Sequence, residues 1–89
     1  MAFEFDPAKD EANWERHGRR LSEFAGFDDD PVVMADVRRD YGENRYRAFG
    51  RIDGLPHCLV FTYRGANIRL VSFRRAHEKE IDRYERPSR

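Results

Sequence analysis

Strand-like segments separated only by short turns fill the second half of this chain. Residues 45–53, 57–64 and 68–75 each read as a strand, and the turns between them contain glycine. Segment 57–64 is almost continuously apolar, which is typical of a central strand covered on both faces. Residues 32–37 read as one more strand before them. Four consecutive strands with short connections predict an antiparallel sheet of about four strands with helices packed against it, an α+β fold.

A first helix before these strands has clear signals at both ends. Asp6 and Pro7 suit the N-cap and the first position of a helix that extends to about His17. Gly18 suits the left-handed residue that commonly follows a helix. Residues 3–5 alternate like a short edge strand just before the helix.

A second, shorter helix is predicted to start at Ser22, to bury phenylalanine side chains and to end at residues 28–31. A last helix from about His77 completes the order β-α-α-β-β-β-β-α, with two N-terminal helices and one C-terminal helix. At 89 residues the chain is too short to bury two separate cores. We therefore expect a single domain over residues 1–89.

The chain is neutral overall, but its charge is unevenly distributed. Residues 45–89 carry eleven Lys and Arg side chains against five Asp and Glu. Strict alternation along the last strand places Arg69 and Arg75 on one face of the sheet and Arg74 on the other face or at the end of the strand. If the strands are neighbours, we expect several of these side chains to converge at one end of the sheet with arginines of the other strands, which are Arg45, Arg47, Arg51 and Arg64.

A cluster of guanidinium groups suits an anionic ligand. It can hold a scissile phosphate and stabilise the charge that develops in a pentacoordinate transition state. RNA can be cleaved without a metal because its 2′-OH is the nucleophile, and the protein then supplies positioning and proton transfer. The candidates for proton transfer are His17, Glu43, His77 and Tyr84. The same arginines would also suit a non-catalytic module that docks a protein or nucleic acid, or a solvated charged surface.

Other classes of site lack their residues in this sequence. Three dispersed histidines and one cysteine give no metal-ligand spacing, so we expect no metal and no other cofactor. Cys58 lies in an apolar run and is expected to be a buried, reduced thiol. The sequence has no glycine-rich phosphate loop and no serine nucleophile motif. It has no apolar stretch of about 18 residues and no signal-type start, so we expect a cytoplasmic protein without a membrane partner.

Several segments follow the order of landmarks in one known family. They are residues 3–9 (Phe-Glu-Phe-Asp-Pro-Ala-Lys), Asn13, His17-Gly18, Asp30-Pro31, Asp40-Tyr-Gly-Glu43 with Arg45, and residues 68–80 with Tyr84. The most specific stretch is the closing one, Ile-Arg-Leu-Val-Ser-Phe-Arg-Arg-Ala-His-Glu-Lys-Glu. Together these residues resemble the BrnT toxins of bacterial type II toxin–antitoxin modules, over nearly the whole chain.

The resemblance implies a compact RelE-like fold and a metal-independent endoribonuclease that cleaves RNA and inhibits translation. It also implies neutralisation by a BrnA-like antitoxin, a ribbon-helix-helix protein, in a toxin–antitoxin heterotetramer. Operator DNA would then be contacted only through the antitoxin. A toxin that has lost its activity but still binds the antitoxin is a further alternative.

The resemblance assigns a phosphate-handling role to the basic positions of the last two strands. Two of the candidates for proton transfer, Tyr84 and His17, are added to these basic positions. The expected catalytic residues are therefore Arg64, Arg69, Arg74, Arg75, Tyr84 and His17. The expected RNA-binding residues are Lys9, Glu43, Arg45 and Arg47. Asn13 and His17 also have a structural interpretation, because residues four apart on one helix can hold the fold together by hydrogen bonds. Tyr84 has one too, as a packing residue on the last helix.

Overall fold

The computed structural model describes residues 2–85. Its helices are α1 (Pro7–His17) and α2 (Glu78–Glu85), and its strands are β1 (Phe3–Glu4), β2 (Val32–Ala35), β3 (Tyr46–Ile52), β4 (Leu55–Arg64) and β5 (Asn67–Arg75). A 3₁₀ turn, Leu21–Glu23, follows α1. The predicted α+β class is confirmed, and the predicted order of elements holds except at the second helix.

The five strands form one mixed sheet in the order β1-β5-β4-β3-β2. The strands from β2 to β5 pair antiparallel with their neighbours, as short turns require. β1 pairs parallel with β5, with Phe3 opposite Ile68 and Glu4 opposite Arg69. The prediction of a four-stranded antiparallel sheet is therefore wrong in detail, because the short N-terminal strand joins the sheet as a fifth, parallel member.

Both ends of α1 are built as the sequence predicts. The carboxylate of Asp6 accepts a hydrogen bond from the Ala8 N–H at 2.8 Å, and Pro7 stands at the first helical position. At the other end Gly18 has a φ of 69°, and its N–H donates to the Trp14 carbonyl at 2.8 Å. These local signals fix the length of the helix that later forms one wall of the candidate site.

The predicted second helix is absent from the described residues, where the 3₁₀ turn takes its place. Ser22 does not cap a helix, because its N–H donates to the Asp10 carboxylate of α1 at 3.1 Å. Asp28 accepts hydrogen bonds from the N–H groups of Asp53 and Gly54, at 3.0 and 2.9 Å. The acidic segment thus anchors the β3–β4 hairpin instead of ending a helix.

The sheet buries apolar side chains on both faces. The larger cluster lies on the first face beneath the 3₁₀ turn and contains Leu21, Phe24, Ala48, Leu59, Phe61, Leu70 and Phe73. The smaller cluster lies on the second face beneath α2 and contains Phe49, Cys58, Ala76 and Ile81. Because α2 covers only part of the second face, the rest of that face is left for a pocket.

A β-bulge interrupts the alternation of β5. Val60 of β4 is paired with Ser72 and the next residue, Phe61, with Leu70, so Val71 has no partner. Side chains of paired residues lie on the same face. Cross-strand partners therefore place Arg69 and Arg74 together on the second face, and Arg75, opposite His57, on the first. The prediction that Arg69 and Arg75 share a face is wrong, because the extra residue reverses the alternation.

Helix α1 is fastened along the edge of β5 by one buried side chain. The amide of Asn13 accepts a hydrogen bond from the Phe73 N–H at 3.0 Å and donates one to the Phe73 carbonyl at 2.8 Å. It also donates to the Arg19 carbonyl at 2.7 Å. The side chain thus bonds the backbone N–H and C=O of β5 at a point that β1 does not reach. This contact confirms the structural interpretation of Asn13.

Candidate active site

A pocket of about 410 Å³ opens on the second face of the sheet. Its floor is formed by β4 and β5, one wall by α1, and the other wall by the loop between β2 and β3. The lining residues are Lys9, Ala12, Asn13, Arg16, His17, Asp36, Arg38, Tyr41, Arg45, Cys58, Val60, Val71, Ser72 and Arg74. Three elements that are distant in sequence therefore meet around one opening.

Cationic side chains dominate this pocket. Its Lys and Arg residues are Lys9, Arg16, Arg38, Arg45 and Arg74, and its lining contains one carboxylate, that of Asp36. Within residues 2–85 no carboxylate pairs with Lys9 or Arg16. Glu43 and Glu80 pair with Arg45 and Arg74 from just outside the lining, so an excess of two positive charges remains. A concave surface with such an excess attracts anions.

Arg74 stands on the floor of the pocket, held by α2. Its two terminal nitrogens donate to the two carboxylate oxygens of Glu80 at 3.1 and 2.8 Å. Glu80 also accepts the N–H of His77 at 2.9 Å, at the start of α2. The Arg74 guanidinium holds the pKa of Glu80 at about 2, and Glu80 raises the pKa of Arg74. Arg74 is therefore a permanent cation in a fixed orientation.

A buried carboxylate organises the opposite wall. Asp36 accepts two hydrogen bonds from the Arg38 guanidinium, both at 2.8 Å, and one from the Tyr41 hydroxyl at 3.1 Å. These bonds, chiefly those from Arg38, hold the pKa of Asp36 far below its ordinary value. The Arg45 guanidinium lies 4.3 Å from the centre of the Tyr41 ring and pairs with Glu43 at 2.9 Å. The loop is therefore braced by charge-assisted bonds.

His17, the last residue of α1, contributes the titratable base of the pocket. Burial lowers its pKa below the ordinary histidine value, and the positive charges of Arg16 and Arg74 lower it further. The imidazole is therefore neutral at pH 7 and has a nitrogen that can accept a proton. The thiol of Cys58 on the floor is buried as predicted, and burial raises its pKa, so it is not a nucleophile at this pH.

Four of the predicted site residues are brought together in this pocket: Lys9, His17, Arg45 and Arg74. Two others lie at the far end of β5, where Arg69 pairs with Glu4 at 3.3 Å and Arg64 lies close enough to lower the pKa of that carboxyl. The register puts Arg69 four residues of β4 away from Arg74, about 13 Å along the sheet. Of the arginines expected to converge, Arg45 and Arg74 line one pocket, whereas Arg64 and Arg69 lie outside it.

The remaining predicted residues also lie outside the lining of the pocket. Arg75 is on the first face, and Tyr84 stacks on Phe49 with ring centroids 4.6 Å apart, in keeping with a packing role. Arg47 is partly buried, with its guanidinium 3.7 Å from the Met34 sulfur. Glu43 acts on the pocket only through Arg45.

Sequence reasoning missed four residues of the pocket: Arg16, Asp36, Arg38 and Tyr41. Arg16 could have been found, because it follows Lys9 and Asn13 at helical spacing on α1. The other three lie in a segment without periodicity, where only tertiary contacts make them neighbours. Tyr41 belongs to the Asp40-Tyr-Gly-Glu43 landmark but received no role, and no pattern in the sequence identifies Asp36 or Arg38.

No group of three His, Cys, Asp or Glu side chains in residues 2–85 could hold a metal ion. None of the helices in that part of the chain is long and apolar enough to cross a membrane.

Fold and pocket together define a small α+β protein with a candidate site lined mainly by cationic and polar side chains. A family described as "Ribonuclease toxin, BrnT, of type II toxin-antitoxin system" matches residues 5–80. The chain belongs to this family of ribonuclease toxins, and membership in a type II system implies an antitoxin partner. Neither the curated proteins nor the solved structures contain a match to the chain.

Proposed function

We propose that this chain is a metal-independent endoribonuclease toxin and that the basic pocket is its active site. The observation that carries the proposal is the meeting of a neutral histidine with five cationic side chains in one opening. The cations bind the RNA phosphate, and the histidine accepts a proton. Both tasks are needed when the 2′-OH of RNA is the nucleophile.

In the proposed reaction, His17 takes the proton of the 2′-OH as the 2′-oxygen attacks the adjacent phosphorus. A bond forms between the 2′-oxygen and phosphorus, the bond to the 5′-oxygen breaks, and the leaving oxygen takes a proton from solvent. The products are a 2′,3′-cyclic phosphate and a 5′-hydroxyl. Arg74 stabilises the negative charge on the phosphate oxygens, with Lys9 and Arg16 as further cations at the opening.

Glu80 gives Arg74 a defined direction in this mechanism. Its carboxylate accepts from both terminal nitrogens, and one of these nitrogens also donates to the Arg75 carbonyl at 3.2 Å. The Nε–H and one terminal N–H are therefore left for the phosphate. A cation that is already oriented needs no reorganisation when charge develops in the transition state. Glu80 therefore acts through Arg74 and does not itself contact the substrate.

The decisive experiment is cleavage of a short RNA by the purified chain in the presence of EDTA. We expect fragments that end in a 2′,3′-cyclic phosphate, and no cleavage where the attacked nucleotide is 2′-deoxy. His17→Gln should abolish most of the activity. The activity that remains should no longer depend on a group whose pKa lies below the ordinary histidine value of 6.5. RNA that stays intact, or cleavage that needs a divalent cation, would refute the proposal.

The finer biological role is proposed with it. The toxin inhibits translation in the cytoplasm, acts as one domain over residues 1–89 with a RelE-like fold, and is neutralised by a ribbon-helix-helix antitoxin in a heterotetramer. Operator DNA is contacted through the antitoxin. Induction of the toxin gene should arrest growth, and co-expression of the antitoxin gene should relieve the arrest. Growth that continues on induction would contradict this role.

One observation favours a second candidate, a non-catalytic docking module. Arg38, Arg45 and Arg74 are each already paired with a carboxylate, so part of their binding capacity is in use. In such a module, neither the wild type nor any variant cleaves RNA. Arg74→Ala would weaken RNA binding only. The cleavage assay with EDTA separates the two candidates directly.

A further inference from the structure

Strand β2 forms an open edge of the sheet. The Asp36 N–H donates to the Arg45 carbonyl at 2.7 Å, so Asp36, Met34 and Val32 direct their backbone groups towards β3. Alternation then directs the N–H and C=O groups of Val33 and Ala35 away from the sheet. Within residues 2–85 no other strand pairs with this side of β2. Two donors and two acceptors therefore form a free template for another strand.

The side chains of this edge carry no charge. All four residues of β2 are apolar, and the protection the edge has comes from its short length and from Pro31 just before it. The side chain of Val33 is 50% exposed, and Val37, just beyond the strand, is 85% exposed. At the opposite side of the sheet, β5 is covered by the two-residue edge strand β1 and by Asn13. The β2 edge is thus the longer of the two edges that the described strands leave open.

The edge leads without interruption into the candidate active site. A second pocket, of about 390 Å³, begins at Ala35 and includes Val37, Tyr41 and Tyr46. The charged residues of its lining are Asp36, Arg39, Asp40, Glu43 and Arg45. Asp36, Tyr41 and Arg45 line both this pocket and the basic one. A chain segment that follows β2 would therefore pass over the second pocket and reach the opening of the first.

We propose that this edge binds an extended segment of the antitoxin, which adds a sixth strand beside β2 and ends in acidic residues at the basic pocket. The proposal rests on the proposed function, since it names the partner of that same site. The segment carries apolar side chains against Val33 and Val37, an uncharged side chain over the second pocket, and carboxylates facing Arg38, Arg45 and Arg74. Such strand addition is a common way to bind an extended peptide.

An extended segment fits this surface better than a second copy of the chain. A specific interface between two folded proteins buries roughly 1,200 Å² or more, and pairing of two four-residue edges alone supplies much less. An extended segment can continue from the edge into both pockets and so bury the required area. Its carboxylates also complement the excess of positive charge in the basic pocket, and the antitoxin thereby excludes RNA.

The test measures the affinity of the toxin for the full-length antitoxin encoded in the same module. Ala35→Pro removes an outward N–H that makes no bond within the chain, and Val33→Lys places a charge on the edge. Each should weaken binding at least about tenfold, because strand pairing is lost. Leu55→Lys is the matched control, since Leu55 is 43% exposed at the start of β4. It should bind within about twofold of wild type.

Amide hydrogen exchange supplies the second measurement. The N–H groups of Val33 and Ala35 should exchange freely in the toxin alone and become protected in the complex. Unchanged affinity of both variants, with these amides still exchanging in the complex, overturns the proposal. Protection that appears in the toxin alone and rises with its concentration also overturns it, in favour of a second copy. If wild-type toxin leaves RNA intact, the ribonuclease proposal fails while this comparison of affinities still stands.

Discussion

The two ends of β5 both carry arginine on the second face of the sheet, but their surroundings differ. Arg69 lies beside β1 and pairs with Glu4, outside the pocket that contains His17. Arg74 lies between α1, α2 and the β2–β3 loop, in a pocket with His17. The same side chain on the same strand is thus a surface ion pair at one end and a candidate phosphate ligand at the other.

This difference shows that the neighbouring elements, and not the arginines, define the site. Each end of β5 is joined to another element by an asparagine. Asn67 donates to Glu4 at 3.0 Å and connects the first end to a two-residue strand. Asn13 makes two hydrogen bonds to Phe73 and connects the second end to an eleven-residue helix. Only the helix brings further cations and a histidine.

The largest expected effect is a difference in the rate of RNA cleavage between variants of Arg74 and variants of Arg69. Arg74→Ala should lower the single-turnover rate of RNA cleavage by about 10²–10³-fold, because it removes a donor that stabilises the transition state. Arg69→Ala should change the rate by less than about twofold, because Arg69 is outside the pocket. Equal losses in the two variants would show that both ends of β5 contact the substrate.

The next effect separates the two asparagines by stability. Asn13→Ala should lower the free energy of unfolding by about 2–3 kcal/mol, because it leaves the buried N–H and C=O of Phe73 without partners. Asn67→Ala should cost less than about 1 kcal/mol, because its bonds are near solvent. Urea denaturation measures both. A larger loss for Asn67→Ala would contradict this view of the two ends.

A smaller effect tests whether Arg74 acts through geometry or through charge. Arg74→Lys keeps the charge but loses the planar fork that can bind Glu80 and a phosphate together, so the cleavage rate should fall about tenfold. The rate is measured at saturating RNA, with Arg69→Lys as the control at the other end of the strand. Full activity of Arg74→Lys would mean that a point charge is sufficient.

The smallest effect concerns the carboxylates that pair with these arginines. The folded pKa of Glu80, about 2, lies below its ordinary value of 4.5. Its stabilisation is therefore fully present above pH 4.5 and is lost as the pH falls towards 2. Allowing for screening by solvent, Glu80→Gln should cost about 1 kcal/mol at pH 7.

The pH dependence is checked by urea denaturation of wild type and Glu80→Gln between pH 7 and pH 2. The difference between the two proteins should shrink as the pH falls. Glu4, whose pKa is lowered by hydrogen bonds from Asn67 and Arg69, should show a dependence in the same direction in Glu4→Gln. A constant difference for Glu80→Gln across this range would mean that the ion pair does not stabilise the fold.

Elements with local signals could be predicted from the sequence, and those set by register could not. Asp6, Pro7 and Gly18 define α1 without any tertiary information. The bulge at Val71 has no such signal, because both alternating sets of residues 68–75 mix apolar side chains with arginine. Either phase is compatible with burial of one face. The face of every arginine beyond the bulge was therefore undetermined.

The residues of the candidate site also divide into those with a local signal in the sequence and those without one. Lys9 and His17 lie on a helix whose stripe can be read from spacing, whereas the strand of Arg74 could be predicted but not the face on which Arg74 lies. Arg38 and Tyr41 enter the pocket because both bind the buried carboxylate of Asp36, a contact formed within an irregular loop. Such contacts depend on the folded path of the loop, which no periodicity encodes.

The double role of Glu80 couples the pocket to the C-terminal helix. The same carboxylate holds Arg74 and receives the N–H of His77 at the beginning of α2. A ligand that draws Arg74 away from Glu80 must therefore also change the stability of that first turn. By thermodynamic reciprocity, a contact that stabilises or destabilises the first turn of α2 through Glu80 changes the affinity for the ligand by the same factor.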